Sequence, residues 1–183
     1  MKMLVIGHEV GVAKNIYEHF DCEGIDISTG HDISDEVERS AVLGYVDDFD
    51  VIVIADFKGI GQAELIIDLF KIYQEENKTI IVLNSCSQDA FRNNDEQYGE
   101  RQMYKSAVDY ACDNLSRKGK PCKLINLRLG YTAGIGKKME HRKAIDPESI
   151  PKIITSLLMF PNDVVPITLT LLADQQNGVD YWS

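Results

Sequence analysis

The residues best suited to chemistry near the start of the chain are the small ones in "GHEVGVAK", residues 7–14. A short apolar run precedes this segment and a helical pattern follows it, so Gly7 and Gly11 bracket a turn. The helix then begins at Val12 and Ala13. A phosphate needs close backbone approach and helix N–H groups that point at it, and small residues permit both. The segment therefore predicts a phosphate-binding turn. The alternative interpretation is a tight strand-to-helix turn without a ligand.

Asp26 follows Gly7 by 19 residues, about where NAD-specific folds place the acid that binds the adenosine ribose. Its carboxylate would accept hydrogen bonds from the ribose hydroxyls and would repel a 2′-phosphate. No arginine stands near it in the sequence, so the pattern favours NAD over NADP. The alternative interpretation is a solvated acid at the end of a strand.

Short apolar runs alternate with longer segments of helical period along the whole chain. This alternation predicts a parallel sheet with right-handed crossovers and helices on both faces. The expected fold is α/β, a doubly wound, Rossmann-like three-layer sandwich that forms a single domain over residues 1–183. The predicted strands are 2–7, 23–28, 50–55, 79–85, 123–129 and 164–172, and the predicted helices are 12–20, 34–45 (with Ser34 as N-cap), 62–76, 97–118 and 147–159.

The spacing G-x-x-x-G-x-A resembles the pattern of the short-chain dehydrogenase/reductase family, whose usual form is G-x-x-x-G-x-G. Weaker likenesses extend over nearly the whole chain. "HDISD" resembles the motif whose aspartate contacts adenine, which implies that role for Asp32. "DVIVIAD" stands where the family has Asn-Asn-Ala-Gly and retains only Ala55. "INLRLGYTAG" resembles the segment beside the nicotinamide, which implies cofactor contacts for Gly130 and Thr132.

The same resemblance implies a catalytic helix at 97–118. In active family members a tyrosine exchanges the proton that accompanies hydride transfer, and a lysine four residues later holds the cofactor ribose. Lys105 matches the lysine, but Arg101 occupies the tyrosine position, and a guanidinium cannot exchange a proton at neutral pH. Tyr98 could reach the site if the helix began later. The alternative interpretation is an amphipathic helix packed on the sheet with Lys105 exposed.

The composition limits the classes of partner that the protein can bind. The net charge of −10 would repel a nucleic-acid backbone. The basic segment 136–143 is interpreted as a solvated loop, or alternatively as a clamp for a phosphate or carboxylate. No apolar run reaches the roughly 18 residues of a membrane span, and no histidines or cysteines have the spacing of a metal site. We therefore predict a cytoplasmic protein without a metal, nucleic-acid or membrane site.

Three functions remain open. The first is an oxidoreductase that uses NAD or NADP on a small carbonyl or alcohol, with Ser85 or Ser87 holding the substrate. The second is an inactive relative that binds a dinucleotide as a structural or regulatory ligand, and the third is a ligand-free scaffold. The resemblance also implies a homo-oligomer built on helices 62–76 and 97–118, and both helices carry apolar stripes that exceed what one sheet face must cover. The alternative interpretation is that these stripes belong to the core of the monomer. The stripes are Leu65, Leu69 and Ile72, and Val108, Cys112 and Leu115.

Overall fold

Among the described residues, six strands form one parallel sheet in the order β2-β1-β3-β4-β5-β6. The computed structural model describes residues 1–85, 96–118, 120–132, 144–161 and 165–173. The basic segment 136–143 lies outside these residues. The strands are β1 (Met3–Ile6), β2 (Glu23–Ile25), β3 (Val51–Ile54), β4 (Thr79–Ser85), β5 (Lys123–Leu129) and β6 (Thr168–Leu171).

Helices cover both faces of this sheet, which confirms the predicted doubly wound α/β fold. Helices α1 and α5 pack side by side on one face, whereas α3 packs between α2 and α4 on the other. No helix among the described residues is long and apolar enough to cross a membrane. The helices are α1 (Gly11–Phe20), α2 (Glu36–Tyr45), α3 (Gly61–Tyr73), α4 (Glu96–Ser116) and α5 (Ser149–Leu158), with short 3₁₀ turns at Ile27–Thr29 and Val46–Asp48.

The central strands are apolar on both faces because successive side chains point to opposite sides of the sheet. In β3, Ile52 and Ile54 join the core beneath α2, α3 and α4. Val51 and Val53 join the core beneath α1 and α5. All four side chains are at most 2% exposed. The continuous apolar runs in the sequence therefore reflect two separate cores that share one sheet.

Two predicted boundaries are wrong for local hydrogen-bonding reasons. Strand β2 ends at Ile25 instead of residue 28, because the Asp26 side chain caps the 3₁₀ turn that follows. Helix α2 is capped by Asp35 instead of Ser34: the Asp35 carboxylate accepts hydrogen bonds from the amides of Val37 and Glu38. The last strand is also shorter than predicted and begins only at Thr168.

The apolar stripes considered for oligomerisation lie inside the monomer, so their interpretation as core is confirmed and they do not support a homo-oligomer. Only Ile72 is exposed, at 52%. The others fill the space between α3, α4 and the sheet, because α3 and α4 pack on each other as well as on the strands. The homo-oligomer itself stays a prediction, which light scattering would test. The buried stripe residues are Leu65, Leu69, Val108, Cys112 and Leu115.

The strand order places the candidate site. The chain leaves β1 toward β2 on one side and returns to β3 on the other. The crossovers diverge there, so a crevice opens beyond the carboxyl ends of β1 and β3.

Candidate functional site

The turn after β1 requires glycine at its first position. Gly7 has φ +85°, and a Cβ there would lie 2.7 Å from both Cβ and the backbone nitrogen of Asp56, which follows β3. The backbones beyond the two strands therefore approach each other as closely as their atoms allow. Gly11, with φ +60°, is the first residue of α1. Both positions favour glycine because other residues rarely adopt these angles.

The amino end of α1 is not closed by a side chain. Val10 occupies the N-cap position and offers no capping hydrogen bond. The first N–H groups of a helix have no partner within the helix and favour a negative charge. Val12 and Ala13, which carry two of these groups, face the crevice together with Gly7 and Gly11.

The crevice is a cleft of about 360 Å³ that brings together most of the predicted cofactor residues. Ser85 and Arg101, predicted for catalysis, line it too. Ser87 lies outside the described residues. Helix α4 begins at Glu96, before Tyr98, so the late start that would favour Tyr98 as the acid is wrong; the Tyr98 side chain is outside the described part of the chain. The cofactor residues in the cleft are Gly7, Gly11, Val12, Ala13, Ala55, Lys105, Gly130 and Thr132.

Asp26 and Asp32 do not line this cleft. Asp26 is only 5% exposed, and its Oδ1 accepts hydrogen bonds from the amide and hydroxyl of Ser28. Its Oδ2 lies 3.3 Å from Nδ1 of His8, whose ring covers Gly24 so closely that a Cβ there would collide with it. The interpretation of Asp26 as a solvated acid is therefore wrong, because the His8 ring and the 3₁₀ turn enclose the carboxylate.

Asp32 closes a turn before α2. Its carboxylate accepts hydrogen bonds from the amide and the hydroxyl of Ser34. These hydrogen bonds, with a smaller contribution from the charge of Lys58, hold the pKa of Asp32 below its usual value. The side chain thus has a local structural role in addition to any contact with a ligand.

Lys105 is buried, so the interpretation of α4 as a helix with an exposed lysine is wrong. The side chain is 5% exposed. Its Nζ donates a hydrogen bond of 3.1 Å to Oε1 of Gln62 and lies 4.2 Å from the centroid of the Phe57 ring. Burial, reinforced by the charge of Arg101, lowers the pKa of Lys105 to about 7. Lys105 can therefore gain or lose a proton near neutral pH.

Arg101 stands one helical turn before Lys105 and contacts the same aromatic ring, with Cζ 5.2 Å from the Phe57 centroid. Among the described residues its guanidinium forms no ion pair. Asp56 lies in the same cleft, half-buried, and its burial raises the pKa of the carboxyl group. The cleft thus contains two neighbouring basic side chains and a carboxyl group whose pKa is raised by burial.

A polar cluster beneath the cleft fixes α4 on the sheet. Oδ1 of Asp109 accepts hydrogen bonds of 2.7 Å from Asn84 in β4 and 2.6 Å from Asn126 in β5. Its Oδ2 lies 3.3 Å from Nε of Arg128. Asn84 also donates to the backbone carbonyl of Lys105. One carboxylate on α4 therefore connects the two strands to the turn of helix that carries Lys105.

Three residues of the site were missed in the sequence. Asp56 and Phe57 could have been found from their position: a polar and an aromatic residue directly follow a buried strand, and ligand sites form at the carboxyl ends of parallel strands. Gln62 could not, because an amide at the start of an amphipathic helix usually faces solvent. Here Gln62 is fully buried and bridges Lys105 to the carbonyl of Leu83.

No protein-family model matches this chain, and no curated protein does. Solved structures are similar in fold. A short-chain dehydrogenase/reductase from Vibrio parahaemolyticus has a TM-score of 0.72 at 14% identity, over 94% of this chain and 99% of that chain. A small-chain dehydrogenase in complex with NADPH has a TM-score of 0.75 at 14% identity, over 93% and 96%. An alcohol dehydrogenase from the archaeon Thermococcus sibiricus, complexed with 5-hydroxy-NADP, has a TM-score of 0.71 at 17% identity, over 98% of this chain and 100% of that chain.

The chain has the short-chain dehydrogenase/reductase fold. The resemblance seen in the sequence motifs is thereby confirmed at the level of architecture, and it extends over nearly the full length of both partners in each comparison.

Proposed function

We propose that the cleft binds a nicotinamide dinucleotide and that the protein is an oxidoreductase acting on a small carbonyl or alcohol. The observation that carries this proposal is the convergence of the open amino end of α1 and the buried Lys105 on one cleft at the switch point of the sheet. Bound there, the nicotinamide would supply the hydride chemistry.

The residues of the cleft fit such a ligand. Gly7 and Gly11 leave room for a pyrophosphate to approach the backbone, and the amides of Val12 and Ala13 would donate to it. Lys105, at the other side of the cleft, would donate to a ribose hydroxyl or exchange a proton with the substrate. The fold similarity to dehydrogenases described with NADPH and 5-hydroxy-NADP supports the choice of ligand class.

We propose NAD as the preferred form. The Ser28 hydroxyl bonds both Asp26 and Glu9, so two carboxylates lie together at the end of β2. A 2′-phosphate placed there would meet negative charge. Glu9→Arg is expected to strengthen binding of NADP+ relative to NAD+ because it removes one of these charges and adds a cation. A wild-type protein that binds NADP+ more tightly than NAD+ would contradict this preference.

A second candidate is a dinucleotide-binding protein without catalysis. Arg101 favours it, because this residue stands where active members of the family have their proton-exchanging tyrosine. This function shares the cofactor site and differs only in the absence of turnover, so an assay of NAD(P)H oxidation with small aldehydes and ketones separates the two.

The test of cofactor binding is thermal unfolding with NAD+, NADH, NADP+ and NADPH. A ligand at about 100 times its dissociation constant stabilises the folded state by about 2.7 kcal/mol. Gly11→Leu should abolish the shift. The control is Gly44→Leu, because Gly44 lies in α2, does not line the cleft and has nothing within 4 Å of an added Cβ. Absence of a shift with every dinucleotide at millimolar concentration would refute the proposal.

A further inference from the structure

Arg101 and Lys105 form a pair of cationic groups that no acid neutralises by a direct ion pair within the described residues. Both contact the Phe57 ring, at 5.2 and 4.2 Å from its centroid. Residues four apart on a helix have Cβ atoms about 5–6 Å apart. Two positive groups at this separation repel each other, and the repulsion is stronger where one of them is buried. The pair is therefore more stable with an anion beside it.

The two acids nearest to the pair are Asp109 and Asp56, and both have other surroundings or partners. Asp109 lies one turn beyond Lys105, but its carboxylate is bonded to Asn84 and Asn126. Asp56 lines the cleft; its charge, like that of Asp109, favours the protonated form of Lys105, but no ion pair joins it to either cation in the described part of the protein. Gln62, the remaining polar partner of Lys105, is uncharged. Neither acid compensates for the charge of Arg101 through a salt bridge in the described part of the protein.

We propose that Arg101 and Lys105 bind the carboxylate of the substrate, which is a small hydroxy or oxo acid. That this acid is a substrate rests on the proposed oxidoreductase function. Binding of its carboxylate by Arg101 and Lys105 does not require a dinucleotide. A guanidinium presents paired N–H donors that match the two oxygens of a carboxylate. The cleft of about 360 Å³ also contains the cofactor residues, so the space that remains beside a bound cofactor suits a small acid better than a large one.

Binding of such an anion changes the state of Lys105. The pKa of the free lysine is lowered to about 7 by burial and by Arg101. A carboxylate beside the pair adds a negative charge, which favours the protonated amine. Lys105 then takes up a proton as the acid binds. In the reduction of an oxo acid, with the reduced nicotinamide of the proposed function as the hydride donor, Lys105 would donate that proton to the carbonyl oxygen and would recover a proton from solvent.

The direct test follows the protonation of Lys105 by NMR of protein labelled with ¹³C at lysine Cε, with Lys105→Gln identifying the signal. The titration midpoint is measured without ligand, with lactate, with its neutral methyl ester and with inorganic phosphate, each with and without NADH, which cannot oxidise lactate. Lactate should raise the midpoint by about one pH unit or more, whereas methyl lactate should leave it unchanged. Lactate carries no carbonyl group, so it cannot condense with the amine.

Variants separate the role of Arg101 from general charge effects. In Arg101→Gln the midpoint should already be higher without ligand, and lactate should raise it no further. Arg117→Gln is the matched control, because Arg117 directly follows the same helix and its guanidinium is 2.7 Å from Asp113 on the exposed surface. It should behave like the wild type.

Three outcomes would overturn the inference: no response to lactate, an equal response to methyl lactate, or an equal response to phosphate. The last would mean that the pair binds any anion. A response to lactate in a protein that no dinucleotide stabilises would sustain the anion site and refute the proposed oxidoreductase. Cofactor binding without a response to lactate would refute the inference alone.

Discussion

Arg101 and Lys105 place two cationic groups against one aromatic ring, with the Arg101 Cζ 5.2 Å and the Lys105 Nζ 4.2 Å from the centroid of Phe57. The ring stabilises each cation through its negative face. It does not cancel the desolvation of Lys105 or the repulsion between the two charges, because the pKa of Lys105 falls to about 7. The buried lysine consequently lowers the stability of the protein at neutral pH.

The first prediction is a pH dependence of stability that comes from Lys105. The folded-state pKa of about 7 lies below the unfolded value of about 10.4. Between these values the unfolded chain binds more protons, so the free energy of unfolding rises with pH, by up to about 1.4 kcal/mol per pH unit. Lys105→Met removes this contribution. The variant should therefore be more stable than the wild type near neutral pH, and its advantage should shrink as the pH rises.

Urea unfolding of both proteins at several pH values between about 7 and 9 measures this difference, and most other titrating groups cancel in the comparison. Lys118→Met is the control, since Lys118 is exposed on the last turn beyond α4. An advantage of Lys105→Met that does not change with pH would show that Lys105 stays fully charged in the folded protein.

The second prediction concerns the turn that Gly7 forms. Gly7→Ala imposes a positive φ on a residue with a Cβ and drives that Cβ to 2.7 Å from Asp56. Gly30→Ala imposes a similar angle (φ +79°) with nothing within 4 Å. The angle alone costs about 1–2 kcal/mol, and the collision should add about 1–3 kcal/mol at Gly7 only. Chemical unfolding measures both variants; equal losses would mean that β1 and β3 separate easily beyond their ends.

The third prediction tests the cluster beneath the cleft. Asp109→Ala leaves the buried amides of Asn84 and Asn126 without their shared acceptor, which should cost about 3 kcal/mol in unfolding free energy. Asp113→Ala, one turn further on, removes an exposed ion pair with Arg117 and should cost less than about 1 kcal/mol. Similar small losses in both variants would mean that Asp109 is not the residue that fastens α4 to the sheet.

The architecture could be predicted from the sequence because burial on both faces leaves an unmistakable pattern. β4 and β5 occupy residues 79–85 and 123–129, as predicted. The errors lie where a single side chain decides the backbone: Asp26 ends β2 by capping a 3₁₀ turn, and Asp35 takes the cap assigned to Ser34. An aspartate that caps and an aspartate that binds a ribose look alike in sequence.

The site could be predicted only in part, for a related reason. The glycines of the turn can be recognised in the sequence because their backbone angles require glycine. The environment of Lys105 cannot, because Gln62 and Phe57 contact it from other elements, and such contacts leave no spacing pattern in the sequence. The apolar stripes left two interpretations open for the same reason: in the sequence, apolar surface shared by two packed helices cannot be told from surface that binds a second subunit.

The last prediction is that Arg101→Tyr exchanges one kind of substrate for another. The change restores the spacing of tyrosine and lysine, four residues apart on one helix face. It also removes the charge of Arg101, which adds to the effect of burial on the pKa of Lys105, so that pKa should rise, and the protonated lysine can favour ionisation of the new tyrosine. Oxidation of NAD(P)H, measured with neutral aldehydes and ketones, should rise above the level of the parent. A positioned acid is worth roughly 10²–10⁴ in rate.

Activity with small oxo acids should fall in the same variant, because the carboxylate loses its guanidinium partner. Arg101→Phe is the matched control: it removes the charge and keeps a ring of similar size but has no hydroxyl to exchange a proton. If Arg101→Phe gained as much activity as Arg101→Tyr, removal of the charge alone would explain the gain. If the wild type turned over neutral ketones rapidly and Arg101→Tyr slowed that reaction, Arg101 would act on neutral substrates, which would contradict its role in binding a carboxylate.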